Sequence, residues 1–330
     1  MSNSGASRFD KYASLKIPFG SWVSLLKWIV LPAAFLFLAY KLLTFNQYNE
    51  LNAQWKQLSF SQFWWLTGVF VLLPLNWLLE AFKWQQLVSK VQPIYLRDAL
   101  QGVLVGITTG FLTPNRVGEL VGRVLYLHAD NRKAGVMLGL VNSLTQNIIL
   151  VLCGVPACAL FVSAYDKRIE INTSLYLWIL ATGLVLLGLI YFMLPLFSRM
   201  LKQSRYAAKI NAFTDCLSSY SKKDLLQIML ISLGRYLVFC IQFFFMLRFF
   251  GVDLTAWQAI ISIPTMYLFI TFTPSFAFSD VAVRSSYAVL VIGVFSGQVV
   301  SIALTGMCIW VVNFVIPLLV GLVVLARGKK

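Results

Sequence analysis

The chain is short of charge. Only 12% of its 330 residues are Asp, Glu, Lys or Arg, about half the share of a soluble domain. Acids are the scarcer sign, with 12 Asp and Glu against 27 Lys and Arg. His128 is the one histidine, which argues against His-based metal centres and Ser-His triads. The cysteines (Cys153, Cys158, Cys216, Cys240 and Cys308) mostly lie in apolar runs without metal-ligand spacing and read as spectator thiols. No G-x-x-x-x-G-K-[ST] run exists to cradle ATP phosphates. The first 20 residues are polar and hold no h-region of a cleavable signal. No metal, cofactor or catalytic residue is expected, and the chain does not read as an enzyme.

Apolar surface is abundant instead. The chain is 59% hydrophobic, with a mean hydropathy of +0.78, more than a soluble fold of this length can bury. The expected class is all-α, a polytopic membrane helix bundle. The net charge of +15 does not indicate nucleic acid, because a nucleic-acid groove needs dense Lys and Arg on one solvated face. Here the cations sit in short loops between apolar runs, the pattern of a protein facing anionic lipid.

A spanning helix needs about 20 apolar residues. Six stretches qualify: 22–43, 62–82, 135–162, 174–197, 225–250 and 298–326. Two shorter runs, 99–113 and 257–273, each stop at Thr-Pro. They are expected to be Pro-broken re-entrant hairpins, or paired spans that cancel. The connection 198–224 holds six Lys or Arg against two Asp, with apolar residues at near-helical spacing. It reads equally well as an interfacial amphipathic helix or a solvated loop. Cations cluster in the tail 1–21, in this loop and in the tail 327–330, whereas the 44–61 and 163–173 loops are nearly balanced. The positive-inside rule then puts both termini and 198–224 in the cytoplasm.

A self-match divides the chain. Residues 113–123 read TPNRVGELVGR and residues 273–284 read TPSFAFSDVAVR. Each opens on Thr-Pro and continues to an acid four residues before an arginine, Glu119/Arg123 and Asp280/Arg284. The offset is 160 for Pro114 and Pro274 and 161 for the charged pairs. A duplicated unit leaves such a drifting offset, and its halves are 22–162 and 174–326, joined by an outer loop at 163–173. Three crossings per unit is an odd number, so the second unit is expected to be inverted in the membrane. Proline starts a helix well, with Thr as N-cap. Helices opening after Pro114 and Pro274, with Gly118 in the first, would aim their N-termini into a cavity suited to an anion. Arg116, Glu119, Arg123, Asp280 and Arg284 are the candidate ligands of a lipid headgroup. Each acid–arginine pair also reads as a structural i,i+4 bridge.

Other polar residues fall within apolar runs. Arg235 lies mid-helix in LLQIMLISLGRYLVFCIQFFF, with Gln242 two turns on, and is expected to face an acid or a lipid phosphate. Asn142, Gln146 and Asn147 either line a path or bond between helices. Glu80, Lys83 and Trp84 close the second run, and Lys83 and Trp84 read as snorkel and belt anchors.

The pattern P-x-R-x-G-E-x-x-x-R, here Pro114, Arg116, Gly118, Glu119 and Arg123, resembles the lysylphosphatidylglycerol synthase transmembrane, or flippase-like, family. The resemblance extends over roughly 20–326, with Lys83-Trp84 and the segment 274–284 as weaker landmarks. It implies a multi-pass protein of the bacterial cytoplasmic membrane or its archaeal counterpart. Some members carry a fused aminoacyl transferase, which is not expected here because the chain ends just after its last helix. Family members often have glycines after the second proline, where this chain has Phe276, Ala277 and Phe278. Arg116 is thus left without a counterpart. The implied function is flippase-like transport of a phospholipid or lipid-linked anionic headgroup. A lipid-binding scaffold and a membrane-embedded enzyme on a lipid-linked substrate stay open. Membrane lipids are the expected partners, nucleic acid is not, and a homo-oligomer is compatible with the sequence.

The charge pattern generates a test of topology. Cysteines placed at 44–61 and 163–173 should react with an impermeant reagent outside the cell, and cysteines at 205–222 should not; the reverse pattern sinks the orientation.

Overall fold

The computed structural model describes residues 60–111, 113, 116–165, 173–202, 216–273 and 277–327. The first expected span, residues 203–215 of the basic loop, and both Pro114 and Pro274 lie outside the described residues. Among those described, the elements are all helical. A 3-10 turn at Phe60–Gln62 leads into α1 (Phe63–Val88), followed by α2 (Leu96–Gly110) and α3 (Gly118–Val124). A second turn, Ala129–Asn131, precedes α4 (Arg132–Tyr165) and α5 (Thr173–Lys202). Then come α6 (Lys222–Phe249), α7 (Ala256–Phe272), α8 (Ala277–Ile292), α9 (Val299–Trp310), a π-helical turn at Val311–Val315, and α10 (Ile316–Arg327). Five stretches are long and apolar enough to cross a membrane: Phe60–Val88, Ala129–Ala164, Leu180–Met200, Lys222–Phe249 and Val299–Arg327. They coincide with five of the six expected spans. The chain is a multi-pass helical membrane protein.

Local sequence explains where the helices begin, end and bend. Ser221 and Thr255 form capping boxes with Asp224 and Gln258 at the starts of α6 and α7. Between them, Gly251 takes φ +74°. Its N–H bonds to Arg248 O and that of Val252 to Leu247 O, so α6 ends in a Schellman turn that needs glycine. The last expected span is one long helix with a widened turn. Pro317 has no N–H for the carbonyl of Asn313, and the N–H of Ile316 reaches back five residues to Val311 O. The π turn at Val311–Val315 is the result.

The second span runs past its expected end. An apolar count stops at 82, but α1 continues to Val88 and buries Glu80, Lys83 and Trp84. Lys83 and Trp84 are both 0% exposed, so neither is an interfacial anchor.

In lipid, apolar surface does not drive helices together, and small residues permit close contact. Gly102, Gly106 and Gly110 of α2 lie against α3 and the residues flanking it, and Gly106 meets Gly122 directly. A Cβ on Gly122 would stand 2.6 Å from Gly106 Cα, and one on Gly118 2.4 Å from Thr109 O. The Thr109 hydroxyl completes this contact by donating to Gly118 O at 2.7 Å. At 15 residues, α2 is about 22 Å long, short of the about 30 Å hydrocarbon core.

Among the described helices, the packing of those before 166 has counterparts among those after 221. The central pair is α1 on α6; α2 packs on α3 and α10 as α7 packs on α8 and α4; and α3 meets α4 as α8 meets α9.

Gly122→Ala should lower thermal stability in detergent by about 1–3 kcal/mol through overpacking. Gly183→Ala, with open space around its Cβ, should leave it unchanged. Equal melting of the two variants refutes the close α2–α3 contact.

Candidate functional site

One cavity of about 500 Å³ lies inside the bundle, lined in part by Arg116, Glu119, Arg123, Arg235, Asp280 and Arg284. All six candidate ligands meet there. Thr273, Asn142, Gln146 and Asn147 line it as well.

The loop between α2 and α3 aims Arg116. Its φ of 59° is the left-handed region, unusual for a residue with a Cβ and a mark of local constraint. The expected helix start at Pro114 lies outside the described residues, and the described helix is α3. It starts at Gly118, and Val117 at the N-cap position offers no side-chain bond. Thr113 reaches forward instead, accepting from the Gly118 N–H at 2.8 Å and donating to Gly110 O at 3.1 Å. At seven residues, α3 aligns few peptide dipoles, so the charge of this wall resides in its side chains. On the other side Thr273 donates to Phe269 O at 2.9 Å, and its hydroxyl lies 2.8 Å from that of Tyr287.

The central group of the first ion cluster is Glu80, 1% exposed, which sequence reasoning placed at an interface and left out of the site. Lys83 lies 3.0 Å from its carboxylate, Arg123 2.6 Å and Arg235 2.9 Å. The Asn142 amide donates to it at 2.9 Å. Arg123 also bridges to Glu119 at 2.6 Å, and Lys83 donates to Gln146 Oε1 at 3.3 Å. Arg235 therefore does face an acid, and its Nε donates to Asn76 Oδ1 at 2.9 Å. Asn76 in turn donates to Asn313 in the π turn at 3.2 Å.

The second node is Asp280. Its Oδ2 accepts from Arg116 at 2.7 Å and from Arg284 at 3.1 Å. The Arg116 guanidinium also lies 4.2 Å from the ring centre of Phe314, a cation–π contact. Each expected i,i+4 pair is thus formed, and each has an added partner from elsewhere in the fold.

The two nodes share a layout. Asp280 and Glu80 are 6% and 1% exposed at the side chain, while Arg116, Arg284 and Arg235 are 34%, 23% and 19% exposed. The acids lie behind and the guanidiniums face the cavity. Glu119, at 24%, is the acid open to it. Such a surface can take an anion by charge-assisted hydrogen bonds. Among the described residues no group of His, Cys, Asp and Glu is placed to hold a metal ion.

A family model described as the lysylphosphatidylglycerol synthase TM region matches residues 24–321. The chain belongs to this family. The match is to a membrane region related to lipid handling, and it includes every cavity residue named above. No curated protein and no solved structure matches the chain.

The omission of Glu80 has a readable cause. In N-W-L-L-E-A-F-K-W the charges stand at the edge of the apolar run, where anchors belong. Two signals pointed inward: Glu80 and Lys83 share one helix face at i,i+3, and the helix regains apolar residues at Leu87 and Val88.

Glu80→Gln should cost about 3–5 kcal/mol of stability, since it strands buried cations without their carboxylate. Glu119→Gln should cost much less because Glu119 is partly solvated. Comparable melting temperatures for the two variants in detergent contradict this ranking.

Proposed function

We propose that the protein translocates a lipid by holding its anionic headgroup in the charged cavity, and that it is a transporter rather than an enzyme. The observation carrying this reading is the arrangement of Arg116, Arg235 and Arg284, which face a cavity within membrane-spanning helices while their acids stay buried behind them. Intramembrane charge is costly and by default functional. Membership of a lipid-related membrane family agrees with a lipid as the cargo.

Alternating access would come from movement of one half against the other. Both charge nodes cross that division: Arg116 meets Asp280, and Glu80 meets Arg235. The correspondence in packing between the two sets of helices supports a duplicated unit, and short α2 and α3 support a hairpin that enters the membrane and returns. An inverted second unit is the arrangement in which such hairpins meet near the midplane. Glu119 and Asp280 position the arginines. Location in the cytoplasmic membrane with both termini inside follows from the loop charges.

The test is reconstitution in vesicles with leaflet-resolved fluorescent lipids. Wild type should move the reporter between leaflets without altering it, whereas a chemically changed lipid would mean an enzyme. Arg116→Ala should reduce movement at least about tenfold, the loss of one charge-assisted contact. Arg116→Lys should rescue only part, because a point charge cannot copy the guanidinium fork. Wild-type rates in Arg116→Ala protein rule out this headgroup site.

A further inference from the structure

The ion clusters around the cavity do not balance. Lys83, Arg116, Arg123, Arg235 and Arg284 meet only three acids, Glu80, Glu119 and Asp280. The motif positions outside the described residues, 112, 114, 115 and 274–276, hold no ionisable side chain. Two positive charges are therefore in excess among the described residues. Uncompensated charge at membrane depth is costly and needs a counter-charge.

We propose that the cavity selects a lipid ending in a phosphate monoester, which carries two negative charges, over the singly charged phosphate diester of an ordinary phospholipid. This deepens the headgroup reading above and rests on it.

Donor geometry points the same way as the charge. Arg116, Arg235 and Arg284 come from three separate elements, the α2–α3 loop, α6 and α8. Each is anchored through part of its guanidinium. Arg116 uses one terminal nitrogen and Arg284 its Nε, both on Asp280. Arg235 uses Nε on Asn76 and one terminal nitrogen on Glu80. A guanidinium has five N–H donors, so each anchor fixes the fork and leaves donors for a ligand. A phosphate monoester presents three terminal oxygens and a diester only two. Three arginines converging on one space match the former, with the acids behind them holding the forks in place before the ligand arrives.

Calorimetric titration of the purified full chain in detergent tests this with dilauroyl phosphatidic acid, dilauroyl phosphatidylglycerol and inorganic phosphate. At pH 7 phosphatidic acid should bind at least about tenfold more tightly than phosphatidylglycerol, a gain on the scale of one further charge-assisted bond. At pH 5 the monoester is singly charged, its second proton having a pKa of about 6, and its advantage should largely vanish. Equal affinities at pH 7, or an advantage that persists unchanged at pH 5, overturn the dianion proposal and leave the headgroup reading intact. Absence of binding by both lipids overturns both. Inorganic phosphate binding as tightly as phosphatidic acid would show that the lipid is not recognised, which also overturns both. In Lys83→Met the excess falls to one charge, so the pH 7 preference should shrink several-fold. The wild-type comparison decides the matter even where that variant does not fold.

Discussion

The ion cluster on Glu80 governs how the bundle is assembled. Burying a carboxylate and its counter-ions costs several kcal/mol per ion, recovered only when the geometry is good and the remaining hydrogen bonds are made. Here one carboxylate takes Lys83 from its own helix, Arg123 from α3, Arg235 from α6 and an amide from Asn142 on α4. These four helices consequently share one rotational setting. Leucine and phenylalanine cannot impose it, because in lipid an apolar face gains little by turning from lipid tails toward another helix. The glycine contacts set how near α2 and α3 come, and the ions set which faces meet.

Asp280 applies the same constraint at the second node, on a smaller scale. It joins Arg284, one turn further along α8, to Arg116, held in a left-handed conformation. That conformation is sustained by the surrounding contacts: Thr113 bonded to both Gly110 and Gly118, and the Phe314 ring against the guanidinium. Phe314 belongs to the π turn produced ahead of Pro317. A missing backbone N–H thus helps shape the cavity wall that meets Arg116.

Much of this was legible where the relevant physics is local. The spans follow from apolar length, and Glu119/Arg123 and Asp280/Arg284 follow from helical spacing. Arg235 could be placed facing an acid because an isolated mid-helix cation has few alternatives. Glu80 was misplaced because sequence distance hides long-range pairing: its partners Arg123 and Arg235 are remote in the chain. Once those pairs form, charges that look like the end of a span can be carried inside one, and α1 extends beyond its apolar run. Thr113 was legible as a capping residue and does accept from the Gly118 N–H, but a bond to a residue five positions on is not the local N-cap pattern that a sequence displays.

The unbalanced charge also bears on movement. The two excess cations among the described residues favour water and counter-ions, and closing the cavity empty would strip solvent from guanidiniums whose acids are already shared. A bound dianion removes that penalty, because its oxygens replace water on the exposed edges of Arg116, Arg235 and Arg284 while the net charge falls to zero. On the proposed reading, occupancy therefore favours closure without any separate sensing element. The ion pairs that cross between the halves add a second condition. Arg116–Asp280 and Arg235–Glu80 would have to loosen for the halves to part, and a phosphate already bonded to the same arginines would keep them from being stranded as those pairs lengthen. Cargo and acids thus share one set of donors, so the ligand that neutralises the cavity also lowers the cost of rearranging it.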